Sequence, residues 1–276
     1  MSIKIVTDSG ADLLALEGVA FASAPLTIIT DAKQYLDDAD LDVEEMAEEL
    51  KNYKGRSSTA CPGVGDWLTA FDDAEFVIAL TITGTLSGSY NAARLAKRDY
   101  EEAHPERKVF VIDTLSAGPE IKLIVEKIAE CIKEGKSFEE ICEAATKYQQ
   151  KTKLLFMLES MANLANNGRV SPVVAKAAGL LGIRVVGQAS AKGDLEMLDK
   201  CRGQKRALSA IVGHMKEYGY KGGKVRIAHC SNEEAALKLK ELIEAEYQDT
   251  EIECYKTRGL CSFYAEQGGM LIGYEC

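Results

Sequence analysis

Four hydroxyl residues, Thr83, Thr85, Ser87 and Ser89, are interleaved with Gly84 and Gly88 in one short stretch of the chain. Hydroxyls both donate and accept hydrogen bonds, and glycine lets neighbouring backbone N–H groups converge, so such a cluster suits a small anionic group. A helix cap or a turn needs only one or two residues of these types. A nucleotide phosphate loop would carry Gly-Lys-Ser or Gly-Lys-Thr, and the stretch contains no lysine.

Other reactive side chains are less well placed. Cys61 stands in Cys61-Pro62-Gly63 just ahead of a helical pattern, where a helix dipole would lower its pKa and make it nucleophilic. The only histidines are His104, His214 and His229, and none is linked to Cys61 by motif. No catalytic residue is assigned. His229-Cys230-Ser231 follows a strand pattern and precedes a helical one, a position where doubly wound sheets gather ligands, although a structural histidine is the simpler reading. The eight cysteines contain no CxxC pair and match no zinc spacing, so they read as reduced thiols in a chain without a metal.

The elements that must position the hydroxyl cluster are readable on both sides of it. Residues 76–82 are apolar and short, as a buried strand requires, and residues 91–96 are alanine-rich and helical in character, so the cluster is a strand-to-helix turn. Further strands are expected at 3–7, 21–29 and 108–112. Helices are expected around Val43, Met46, Ala47 and Leu50 behind an Asp42 cap, around Val64, Trp67, Leu68 and Phe71, and over 121–134 and 138–149. This alternation predicts a parallel sheet covered by helices.

Beyond Lys151 the pattern becomes mixed. Strands are expected at 153–158, 183–188, 224–229, 252–255 and 270–274, helices from Ser171-Pro172 and over 203–218 and 232–245, and a hairpin at Ala191-Lys192-Gly193-Asp194. Gln267-Gly268-Gly269 reads as a turn or as a point of close backbone approach before the last strand. The expected architecture is α/β with two domains: a parallel-sheet domain over 1–151 that carries the hydroxyl turn, and a mixed-sheet domain over 152–276.

Composition narrows the function classes. With 276 residues, 46% of them hydrophobic and 28% charged, the chain suits a globular protein. No apolar stretch is long enough to cross a bilayer, and the opening residues alternate like a strand and lack a signal-peptide core, so a cytoplasmic location is expected. A net charge of −10 disfavours nucleic acid as a partner.

Several segments, in order, resemble the DegV family of fatty-acid-binding proteins. Thr7-Asp8-Ser9-Gly10-Ala11-Asp12 is similar to the family's opening motif, and Thr83 to Tyr90 to its Ser-Gly-x-Leu-Ser-Gly-Thr-Tyr turn. Val111-Ile112-Asp113-Thr114, Leu158-Glu159, Asn167-Gly168-Arg169-Val170 and the block from Lys200 to Ala207 follow in the family's order. The resemblance implies two α/β domains with a long-chain fatty acid such as palmitate, stearate or oleate between them, and no other cofactor. It also implies that the last strand returns to the ligand site. A fatty acid kinase subunit is the implied partner, phosphorylating the carboxylate that this non-catalytic carrier presents.

By the same resemblance Thr59, Thr83, Gly84, Ser87, Gly88 and Ser89 hold the head group, and Arg169 and Arg202 contact the partner or its phosphate. The chain departs from the family pattern in three places. Thr59-Ala60-Cys61-Pro62-Gly63 lacks two of the usual hydroxyls. Phe263-Tyr264-Ala265-Glu266-Gln267-Gly268 lacks a histidine, and Tyr264 either donates through its phenol in that role or packs the final strand. Glu120 and Lys122 replace two glycines on a helix start, where they would narrow a tail tunnel unless they face solvent. The alternatives are a phosphotransfer subunit of the related dihydroxyacetone-kinase type and a binder of a different small anionic lipid.

Overall fold

The computed structural model describes residues 2–178 and 182–276. Its first sheet is wholly parallel, in the order Ala20–Ala24, Ile3–Asp8, Phe76–Thr81, Lys108–Asp113. Side chains alternate across a strand, so Phe76–Thr81 serves two cores. Val77 and Ala79 pack under Trp67, Phe71, Ala93 and Ala96, from the helices Val64–Phe71 and Ser89–Ala103. Ile78 and Leu80 pack under Ile121, Ile124, Ile128 and Ile141, from the helices Pro119–Lys133 and Phe138–Gln149. Both faces are therefore covered, which is why this strand reads as one continuous apolar run.

The second sheet has six strands in the order Leu195–Arg202, Ile183–Ala189, Thr152–Leu158, Met270–Glu275, Gly223–His229, Thr250–Lys256. Its last two strands are parallel and the other pairs antiparallel. Leu155, Met157, Val225, Ile227 and Ile272 face the helices Gln204–Glu217 and Glu233–Glu246 through Leu208, Ile211, Met215, Leu239 and Ile243. Residues of alternate parity, among them Leu154, Phe156, Leu158 and Leu271, face the first half of the chain.

Several elements depart from the sequence expectation, among them the strands Gln34–Leu36 and Ser57–Ala60, which it did not include. The strand expected at 21–29 divides at Pro25, which has no N–H to give a ladder. Ala20–Ala24 remains in the parallel sheet, while Thr27–Thr30 enters a small antiparallel sheet with Gln34–Leu36 and Ser57–Ala60. The helices Ala162–Asn166 and Gly259–Ala265 have no counterpart in the expectation. The second is buried at all but one of its residues, so it lacks the polar face that produces a helical period.

The two halves interlock. Helix Pro119–Lys133 lies against strand Met270–Glu275 at Gly273, where a Cβ would stand 2.6 Å from the backbone of Pro119 and Glu120. Arg226, whose side chain is 5% exposed, reaches from the second sheet to Glu126 on that helix at 2.7 Å and to Glu251 at 2.5 Å. Removing one member of a buried pair leaves the other charge uncompensated. Arg226→Ala is expected to lower unfolding free energy by about 3 kcal/mol, measured by urea titration.

Candidate functional site

The turn between Phe76–Thr81 and Ser89–Ala103 is built by side-chain bonds to its own backbone. Thr83 Oγ1 accepts from Thr85 N at 3.3 Å and Ser87 Oγ from Ser89 N at 3.2 Å. Each hydroxyl thereby uses a lone pair locally and keeps its hydrogen free to donate. No side chain caps the helix that starts at Ser89, so its positive dipole end lies at the turn.

This turn borders a cavity of about 370 Å³ lined by residues from both halves of the chain. Thr59, Thr83, Ser87, Gly88, Arg169 and Tyr264 are its polar members, with Cys61 beside Gly88. Leu154, Phe156, Leu158, Leu164, Leu195 and Leu271 form an apolar wall from the second half, and Leu26, Ile82, Ala117 and Leu260 complete it. Thr59 and Tyr264 share a hydrogen bond of 2.7 Å across the two halves. Burial pushes the Tyr264 phenol up from its usual pKa, so it remains a protonated donor.

Thr59 sits on strand Ser57–Ala60, opposite Ile28, and Tyr264 on helix Gly259–Ala265. A cluster of buried acids holds that helix in place. Asp37 accepts from Gly259 N at 2.9 Å and Leu260 N at 2.8 Å, and Asp12 from Arg258 N at 2.8 Å. Asp8, at the end of the first strand, accepts from Ile82 N at 3.0 Å and from the Ser89 hydroxyl at 2.5 Å. Burial raises the carboxyl pKa of both Asp8 and Asp12 to about 7 and raises that of Asp37.

Five sequence-expected residues, Thr59, Thr83, Ser87, Gly88 and Tyr264, thus border one cavity. Gly84 and Ser89 lie behind it: Gly84 N bonds Asp113 Oδ1 at 3.0 Å, and Ser89 is held by Asp8. Arg169 lines the cavity, its Nε donating to Leu86 O at 3.3 Å and its guanidinium also to Asn167 O. Among the described residues it is the only charged side chain in the wall. Arg202 is exposed at the end of an edge strand and does not line the cavity.

Glu120 and Lys122 neither line the tunnel nor face open solvent. Glu120 is 6% exposed and bonded to Ser116 and Thr152, while Lys122 pairs with Glu253 at 2.8 Å. Asp8, which holds the Ser89 hydroxyl, supports the turn in a role the sequence reading did not give it, whereas Arg169, expected to contact the partner or its phosphate, lies in the cavity wall. An acid closing an apolar strand was the available signal for Asp8. No histidine borders the cavity, which leaves Cys61 without a base, and His229 accepts from Asn232 N in a separate groove. The hairpin of the second half closes over the turn: Thr85 Oγ1 donates to Lys192 O at 2.7 Å, and a Cβ on Gly193 would fall 2.1 Å from Thr83 Oγ1.

Among the described residues no helix is long and apolar enough to cross a membrane. A family model described as "Uncharacterised protein, DegV family" matches residues 2–275. A DegV domain-containing protein of Streptococcus pneumoniae is 47% identical over 279 aligned positions, covering 100% of this chain and 99% of its own. The crystal structure of the S. pneumoniae fatty acid kinase B3 protein loaded with linoleic acid is similar at TM-score 0.98 and 46% identity, covering 100% of this chain and 99% of that one. A DegV family protein from Eubacterium eligens loaded with heptadecanoic acid is similar at TM-score 0.97 and 47% identity, covering 99% of each chain.

The acid cluster has a pH signature. Asp8 and Asp12 titrate near 7 when folded and near 3.8 when unfolded, so between those values the folded chain binds more protons. Stability is therefore expected to rise as pH falls from about 8 toward 6, the reverse of an ordinary salt-bridged carboxylate. Thermal melts across that range read the trend, and Asp12→Asn is expected to flatten it.

Proposed function

This chain belongs to the DegV family, and from that premise we propose that it carries a long-chain fatty acid and presents the carboxylate to a partner kinase for conversion to an acyl phosphate. The observation that carries the reading is the cavity itself, with neutral donors at one part and an apolar wall over the rest. Its relatives' bound linoleic and heptadecanoic acids give the same chemical class.

Ser87, Thr59 and Tyr264 would hold the carboxylate with hydroxyl donors, and Thr83 and Gly88 complete the wall of the same turn. A buried carboxylate needs several donors, and neutral ones stabilise it without cancelling its nucleophilicity. Arg169 adds a positive charge at the cavity wall. In the kinase reaction a carboxylate oxygen forms a bond to the transferred phosphorus as the donor's bond to it breaks. No proton moves, so the carrier needs no general base. Burying the tail at about 0.8 kcal/mol per methylene contributes on the order of 10 kcal/mol before the costs of association.

Arg202, exposed and outside the cavity, is proposed as the partner-facing cation. The division into units at 1–151 and 152–276 is supported by their separate sheets, with the ligand at the seam. A cytoplasmic location fits eight cysteines, none of them in a disulfide, and the need for a phosphoryl donor.

Native mass spectrometry of freshly purified protein is expected to show a co-purifying fatty acid that organic extraction removes. With a fatty acid kinase catalytic subunit and ATP, reloaded protein should yield acyl phosphate that hydroxylamine traps. Ser87→Ala is expected to weaken fatty acid binding by about 10- to 100-fold, the cost of one hydrogen bond to a charged group. Absence of lipid together with no thermal stabilisation by palmitate, oleate or linoleate would overturn the reading.

A further inference from the structure

Among the described residues of the cavity wall, Phe156 is the largest wholly apolar side chain. It stands between Leu154 and Leu158 on one face of strand Thr152–Leu158, and all three line the cavity. A ring raised from the middle of that strand would obstruct a tail. Phe156 instead leans across its ladder partner, Gly187 of strand Ile183–Ala189. A Cβ on Gly187 would stand 2.3 Å from Phe156 Cζ and 2.6 Å from Cε2, so the ring fills the space that a side chain there would take. The backbone does not itself demand glycine, because the φ of Gly187 is not positive. Glycine inside a strand weakens it and marks a close approach, here of the Phe156 ring and of Glu196 O, which lies 2.4 Å from the same Cβ position.

We infer that Gly187 sets the width of the tail channel, and with it the admission of bent acyl chains, by giving the Phe156 ring a place against the sheet. This rests on the fatty acid reading and adds the class of tail. Val185, Leu195 and Met197 pack in the same cluster as Phe156, which is 1% exposed, so the ring has no slack on the sheet side. A methyl group on Gly187 would therefore drive the ring into the cavity. An extended saturated chain is straight, whereas a cis double bond bends it and makes it sweep a wider cross-section. A displaced ring thus opposes a bent tail more than a straight one of equal carbon number. Gly187 is a positioning residue in this role, acting on the ligand through Phe156.

The test offers delipidated protein equimolar stearate and oleate, extracts the bound acids and quantifies them by gas chromatography. The wild-type protein is expected to load oleate at least as well as stearate. Gly187→Ala is expected to lower the oleate-to-stearate ratio about tenfold, as overpacking of a filled site implies. Adding Phe156→Leu removes Cε2 and Cζ, the ring atoms that the new methyl meets, and is expected to restore the ratio. The Glu196 O contact is common to the single and double variants, so a general disturbance of the strand would not be rescued. Phe156→Leu alone leaves Gly187 in place and should raise the ratio about threefold, which decides the matter if Gly187→Ala does not fold. A ratio unchanged in Gly187→Ala, a ratio as low in the double variant, no rise in Phe156→Leu, or rejection of oleate by the wild-type protein overturns the inference. Failure of the wild-type protein to load either acid would overturn the carrier reading instead.

Discussion

Everything at the site depends on Asp37 receiving the first N–H groups of helix Gly259–Ala265. That helix comes from the end of the chain and Asp37 from near its beginning, so two hydrogen bonds set a long-range register. A buried carboxylate is tolerable because backbone donors satisfy it, and the buried start of a short helix is tolerable because the carboxylate accepts from its free N–H groups. Asp12 repeats the device at Arg258 N. Tyr264 is thereby fixed opposite Thr59, and the cavity acquires a wall that neither half could build alone.

The division of labour within the cavity follows from where polarity is affordable in energy. The Thr83 and Ser87 hydroxyls, which each accept one local backbone N–H, are held in place and keep their hydrogens to donate to a carboxylate. The larger apolar wall then sets affinity through area, with residues drawn from both halves of the chain. Arg169 differs from a solvent-facing guanidinium in that Leu86 O and Asn167 O hold it against the wall.

Much of this was legible in the sequence, and the exceptions have physical reasons. The parallel strands and long helices announced themselves because one face or both faces are buried, which imposes a period. The hydroxyl turn was readable because it lies between two such elements. Strand Ser57–Ala60 was hidden, since it is four residues of polar and small type whose pairing partners lie far away in sequence. Helix Gly259–Ala265 was hidden by its near-complete burial, so Tyr264 was noticed only through the departure from a family pattern. Glu120 illustrates the limit most clearly: its charge suggests a surface, and only the approach of Thr152 and Ser116 makes an interior position tenable.

The hairpin resting on the hydroxyl turn ties occupancy to timing. Because Thr85 bonds Lys192 and Gly193 sits against Thr83, a ligand cannot pass this edge of the seam without breaking contacts that also shape the turn. A bound tail adds its own free energy to keeping the seam shut, so the loaded form opens less often than the empty one. The carrier thus holds a record of its cargo in its opening rate, and any process that samples open molecules, from proteolysis to lipid exchange, would act chiefly on those that have delivered.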